Sequence, residues 1–218
     1  MPRIIDVHAH LTDPSFGDIE GVIARARECG VEGVVVSITR PAEIERAEEL
    51  LASFPGFLSL AMGFDPTVLD EGAYQHFCRI AEEKRAALVA IGEVGLDHFY
   101  VKDHSERAVQ ESLFRRSIRL AKSLSLPLVI HSRSTGRRAL EALRSEGAAR
   151  VLMHAFDGKS GDAMAAAKEG YYFSIPTSVV HSEQKQKLAR LLPLERLMLE
   201  TDSPVLGPER GARNEPSN

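Results

Sequence analysis

The sequence is poor in cysteine. Cys29 and Cys78 are the only two, so no disulfide framework is expected, and a reducing compartment such as the cytoplasm fits. Both fall within helical patterns and read as core residues rather than metal ligands. Long apolar runs are also missing, which excludes a bilayer-spanning helix. Met1-Pro2-Arg3 leads straight into the first strand pattern, with no signal-peptide core. Positive charge is scarce: 27 Lys and Arg against 31 Asp and Glu leave a formal net charge of -4. A general electrostatic pull on nucleic acid is thereby excluded, and any such binding needs charge gathered on one face. No Gly-x-Ser-x-Gly and no suitably framed Cys-His pair is present, which sets aside the usual covalent hydrolases.

What is present is alternation. Apolar runs of strand length occur at 3–9, 33–38, 57–64, 87–93, 126–132, 149–155, 171–176 and 197–202. Several, such as Gly33-Val34-Val35-Val36, are continuous, as expected of parallel strands covered on both faces. Amphipathic segments fill the gaps: Ile19–Ala26, Glu43–Phe54, Tyr74–Arg85, Glu106–Ser125, Thr135–Ser145, Asp162–Glu169 and Ser182–Leu192. In the longest, Val109, Leu113, Phe114, Leu120, Ala121 and Leu124 make the expected buried stripe. Eight strands with seven intervening helices predict a single-domain (β/α)8 TIM barrel over residues 1–218. An open doubly wound sheet is the alternative, but no Gly-x-Gly-x-x-Gly follows the first strand. After the eighth strand only Ser203–Asn218 remain, rich in Pro, Gly and Arg. The last outer helix is therefore expected to be missing, leaving apolar surface exposed between strands eight and one.

The chain is organised around Ile4-Ile5-Asp6-Val7-His8-Ala9-His10. Alternate residues of a strand share a face, so His8 and His10 point the same way, as half of a metal site would require. An isolated His-x-His is weak evidence, but the other polar residues fall at one place in each unit. Glu93 closes the predicted fourth strand, His131 the fifth, His154 the sixth and Asp202 the eighth. These are the C-terminal strand ends, where such barrels carry their sites. Four imidazoles and two carboxylates, with no thiolate, suit zinc, manganese or iron and accommodate magnesium. Two such ions would activate water for hydrolysis.

With these residues in view, the chain resembles the TatD-type metal-dependent deoxyribonucleases, within the broader amidohydrolase-like barrels. The matching segments are Asp6-Val7-His8-Ala9-His10-Leu11, Ile91-Gly92-Glu93-Val94-Gly95-Leu96-Asp97, Pro127–Arg133, His154-Ala155-Phe156-Asp157-Gly158, Glu200-Thr201-Asp202-Ser203-Pro204 and Arg213-Asn214-Glu215-Pro216. The resemblance implies two divalent ions (Mg, Mn or Zn), with His8, His10 and Asp202 on one, His131 and His154 on the other, and Glu93 bridging. It also implies Asp202 as the base for the attacking water. Glu200 is left with either an orienting or a purely barrel-interior role. Relatives carry Gly-x-His-Pro after strand three, where this sequence has Gly63-Phe64-Asp65-Pro66. Asp65 can accept a proton or touch a metal, but it cannot act as a cation toward phosphate.

The implied substrate is DNA, single-stranded or at its ends. Arg133, just beyond a ligand, has the best claim to a phosphate. Phe99, Tyr100 and Phe156 lie in the active-face loops, placed either to stack bases or to pack loop on barrel. A metal-dependent amidase or esterase, or a non-catalytic binding member, are the alternatives. No membrane partner is expected, and the oligomeric state is left open.

Overall fold

The computed structural model describes residues 4–218, so Met1-Pro2-Arg3 lie outside the described residues. The strands are β1 (Ile4–Ala9), β2 (Val31–Ile38), β3 (Leu58–Met62), β4 (Leu88–Asp97), β5 (Leu128–Arg133), β6 (Val151–Met153), β7 (Tyr172–Pro176) and β8 (Leu197–Glu200). They close in sequence order into an all-parallel barrel, which excludes the open doubly wound sheet. The helices are α1 (Ile19–Glu28), α2 (Ile44–Ser53), α3 (Glu71–Glu83), α4 (His104–Ser123), α5 (Gly136–Ser145), α6 (Ser160–Lys168) and α7 (Glu183–Leu191). None is long and apolar enough to cross a membrane.

Helix starts follow side-chain capping. Asp18, Asp70, Asp103 and Ser182 each accept a backbone N–H from the first turn of α1, α3, α4 and α7. Two apolar clusters result. The larger lies between strands and helices and includes Phe77, Phe114, Leu140 and Phe173. The smaller gathers Ala61, Ala90 and Val129, with Val35 and Leu152 packed against it. These residues come from five successive strands and form an apolar plug inside the barrel. The two-residue period of a strand then places Ser37, Gly63, His131 and His154 one layer higher on the same inward face.

Several expectations are corrected. β4 runs four residues beyond Glu93, because Val94, Gly95, Leu96 and Asp97 pair with Ile130–Arg133 of β5, so Glu93 sits mid-strand. A Cβ on Gly95 would lie 1.9 Å from the His131 carbonyl oxygen, so only glycine permits that approach. In α4, Val109 is exposed and Gln110 is buried in its place. The Gln110 amide donates to the Pro66 carbonyl at 2.7 Å and accepts from the Asp97 N–H at 3.2 Å, which satisfies it in the core. Cys29 is not a core residue: it caps the C-terminus of α1 and is exposed.

The seam between β8 and β1 is thin. Ladder register is restricted to Asp6 with Leu199. Closure is completed by the Asp202 N–H to the His8 carbonyl (2.9 Å) and the His10 N–H to the Ser203 carbonyl (2.8 Å). Among the described residues no helix follows β8. Outside the seam, Ile5 and Leu199 remain 53% and 55% exposed, as the missing helix predicts. The last residues are nonetheless fixed. Buried Asn214 donates to the Thr201 and Val205 carbonyls (2.7 and 2.8 Å), and Glu215 forms a bidentate pair with Arg25 of α1 at 2.7 Å.

Candidate metal centre

The six candidate ligands meet at the C-terminal mouth of the barrel. His8 Nε2 lies 3.2 Å from His10 Nε2 and 3.5 Å from Asp202 Oδ1, and His10 Nε2 is also 3.5 Å from that oxygen. Glu93 Oε2 is 3.5 Å from His8 Nε2, 3.6 Å from His131 Nδ1 and 3.2 Å from His154 Nε2. Donor atoms suited to a cation group three ways: His8, His154 and Asp202; His8, His10 and Glu93; Glu93, His131 and His154. Glu93 Oε2 is buried without a hydrogen-bond partner. A buried carboxylate oxygen left bare while facing three imidazoles fits a cation-binding role. The donor set therefore fits divalent metal.

Each imidazole is aimed by a partner on its other nitrogen, an arrangement that fixes tautomer and raises ligand basicity. His154 Nδ1 is 3.0 Å from Glu200 Oε2. Glu200 in turn accepts from Ser174 Oγ at 2.6 Å and the Ala155 N–H at 2.8 Å. His131 Nε2 is 3.0 Å from Asp97 Oδ2. Ser37 of β2 serves two ligands at once: its hydroxyl is 3.0 Å from His8 Nδ1 and its carbonyl 3.0 Å from His10 Nδ1. Buried Asp6 accepts from the His8 N–H (3.1 Å), the Thr201 N–H (3.0 Å) and the Thr201 hydroxyl (2.5 Å), so it ties β1 to the β8 end.

Charge within the cluster is strongly perturbed. Burial disfavours every charged form here, but neighbours of opposite sign override it at most positions. Against burial, Asp202 and Glu93 lift His10 to about 9. Asp97 and Glu93 likewise lift His131 to about 10, and Glu200 with Asp202 lift His154 to about 9. His8 goes the other way, pushed well below its ordinary value by burial and by His154. Glu93 and Asp202 are held below the usual carboxylate range by the imidazoles, in spite of burial. Burial outweighs the hydrogen bonds at Asp6 and raises it to about 7.

The remaining candidates sit apart from the cluster. Asp65 borders a cavity also lined by Glu93 and His131, but its Oδ1 accepts from the Thr67 N–H (2.9 Å) and hydroxyl (2.6 Å), which commits it to a turn. Arg133 ends β5 with its guanidinium 3.9 Å above the Phe99 ring. Of the two roles left open for Phe156, packing is the one observed: it is fully buried edge-on against Phe173. Gly136 and Gly158 approach so closely that a Cβ on either would lie under 3 Å from its ring.

Three residues of the site were not singled out from sequence. Ser37 is a hydroxyl inside an apolar run, the one signal that could have found it. Asp97 stands in a matched segment without an assigned role. Lys185 of α7 is buried and donates to the Ala155 and Phe156 carbonyls at 2.7 Å each, beside His154. A lysine within a charged helix carries no sequence signal of that kind.

Residues 5–218 match the family model for TatD related DNase. A human protein named deoxyribonuclease TATDN3 is 39% identical over 99% of this chain and 83% of its own length. A 3'-5' ssDNA/RNA exonuclease TatD from Edwardsiella piscicida is 30% identical over 98% of this chain and 86% of its own length. The crystal structure of YJJV, a TATD homologue from Escherichia coli, superposes with a TM-score of 0.87 at 29% identity, covering 98% of this chain and 85% of that one.

Proposed function

The chain belongs to the TatD related DNase family, and on that premise we propose that it is a two-metal phosphodiesterase acting on single-stranded DNA. It is a metal-dependent hydrolase. The observation that carries the reading is the convergence of His8, His10, Glu93, His131, His154 and Asp202 on a buried cluster with a bare carboxylate oxygen at its centre.

His8, His10 and Asp202 would hold one ion and His131 and His154 the other, with Glu93 between them. When bound, two divalent ions acidify a water and offset charge at the scissile phosphate. Asp202, kept ionised by the surrounding imidazoles, takes the proton of the attacking water. Glu200 and Asp97 each occupy one ring nitrogen of His154 and His131, and Ser37 occupies one on both His8 and His10, so that the other nitrogen of each ring faces inward. Arg133 has no ion-pair partner among the described residues, so its N–H edge is free to steady a non-bridging phosphate oxygen while its face rests on Phe99.

The test is a metal-supplemented assay comparing single-stranded DNA, an RNA oligomer and an amide panel. Nucleotide release from DNA with magnesium or manganese, lost in Glu93→Ala, is the expected result. No release from DNA, together with amide turnover that Glu93→Ala stops, would overturn the reading.

A further inference from the structure

Just past β4 the chain places Phe99 and Tyr100 at the rim of the mouth, 46% and 62% exposed. Phe156, the third aromatic of these loops, is by contrast fully buried. Their position is fixed by the carboxylate that aims a ligand. Asp97 Oδ2 meets His131 Nε2, while Asp97 Oδ1 accepts the backbone N–H groups of Phe99 (2.9 Å) and Tyr100 (2.8 Å). The aromatic turn is thereby held in register with the metal centre.

Arg133 completes the arrangement. Its carbonyl accepts the His98 N–H at 3.1 Å, and its guanidinium lies 3.9 Å from the Phe99 ring centre and 5.1 Å from that of Tyr100. Phe99 and Tyr100 meet edge to face at 5.0 Å. Phe99 is thus a brace, with Arg133 over it and Lys102 Nζ 5.1 Å from its centre. Tyr100 is the more exposed ring. It borders, with Arg133, Glu93 and His131, a cavity of about 390 Å³, within the range of small-ligand clefts.

We infer that Tyr100 and the Arg133 guanidinium, braced by Phe99, form a stacking platform for one unpaired nucleobase beside the scissile phosphate, on the β4–β5 side of the mouth. The inference rests on the phosphodiesterase reading above and adds the means of substrate selection. A base inside a duplex has both π-faces covered by its neighbours, whereas an unpaired or terminal base has a face to offer. Arg133 suits both parts of a nucleotide, with the face turned away from Phe99 toward the base and its N–H edge toward the phosphate. Selection of single strands then needs no basic groove.

The test is fluorescence anisotropy of a labelled oligothymidylate, and of the same backbone with abasic sites throughout, in chelator so that nothing is cleaved. Wild type should prefer the base-bearing strand by about 5- to 150-fold, the range of one base–aromatic stack. Tyr100→Ala should abolish the preference and Tyr100→Phe should keep it. Equal binding of the two strands by wild type, no detectable binding of either, a preference that survives Tyr100→Ala, or its loss in Tyr100→Phe would each overturn the platform. A separate arm adds manganese. Failure of wild type to cleave the base-bearing strand there refutes the phosphodiesterase reading, while the binding comparison in chelator still decides the platform.

Discussion

Replacing Ser37 by alanine isolates what orientation contributes to metal binding. For His8 to offer Nε2 to a cation, Nδ1 must carry the proton, and Ser37 Oγ is its acceptor at 3.0 Å. The His8 side chain is fully buried, so no water replaces the lost hydroxyl. An orphaned buried polar group costs about 1–3 kcal/mol. In a domain of this size that lowers the melting temperature of the metal-free protein by about 2–4 °C per kcal/mol. Loss of such a supporting contact weakens metal affinity by about 10–100-fold. His10 keeps its partner, because that contact goes to the Ser37 backbone carbonyl. The donor group of Glu93, His131 and His154 contains neither histidine of β1. Chelator competition should therefore resolve one weakened ion and one unchanged ion. Equal weakening of both, or a lowered melting temperature with both affinities intact, would refute the argument and leave Ser37 a purely structural role.

Glu93→Ala should abolish turnover and metal retention with the barrel intact, since this carboxylate faces three ligands yet belongs to neither apolar cluster; circular dichroism and metal analysis check both parts. Metal binding at pH 7 should release protons, because His10, His131 and His154 sit at about 9, 10 and 9 in the metal-free protein and must be neutral to bind a metal. Calorimetry in buffers of different ionisation heat measures this. The same shifts set the sign of a stability change. The three raised histidines contribute stability that is fully present below about pH 6.5 and lost as pH rises through 9–10, so metal-free melting temperatures should fall over that window. Asp65→Asn should leave turnover within about twofold, since the amide oxygen still accepts from Thr67. A loss of tenfold or more would return Asp65 to the chemistry.

The strand-end residues were legible because strand alternation and barrel polarity are one-dimensional rules. His8 and His10 share a face by counting, and His131 and His154 follow Val129 and Leu152 by the same count. What escaped depends on partners rather than pattern. Ser37 matters only because β2 lies against β1. Val109 and Gln110 exchanged places because a hydropathy stripe scores polarity and not the availability of two backbone groups in the core. Phe156 is hidden by two glycines whose close approach no local pattern reveals. Glu93 looked like a strand end because glycine and charge follow it, although Gly95 is there to let β4 continue against β5.

The seam between β8 and β1 has a consequence for how the ring yields. Elsewhere neighbouring strands share longer ladders, but here the hoop is fastened by Asp6, by the Asp202 amide on the His8 carbonyl, and by the His10 amide on the Ser203 carbonyl. Each fastening lies on or beside a candidate ligand, so the clasp of the bracelet and its setting are one part. Any fluctuation that parts these two strands also pulls Asp202 away from His8 and His10. Occupancy of the cluster and closure of the ring are then coupled, each favouring the other, although the ring closes without an ion. Chelation should loosen this edge first, and the amide protons of His10 and Asp202 should lose their protection from solvent exchange before those of the β2–β5 arc.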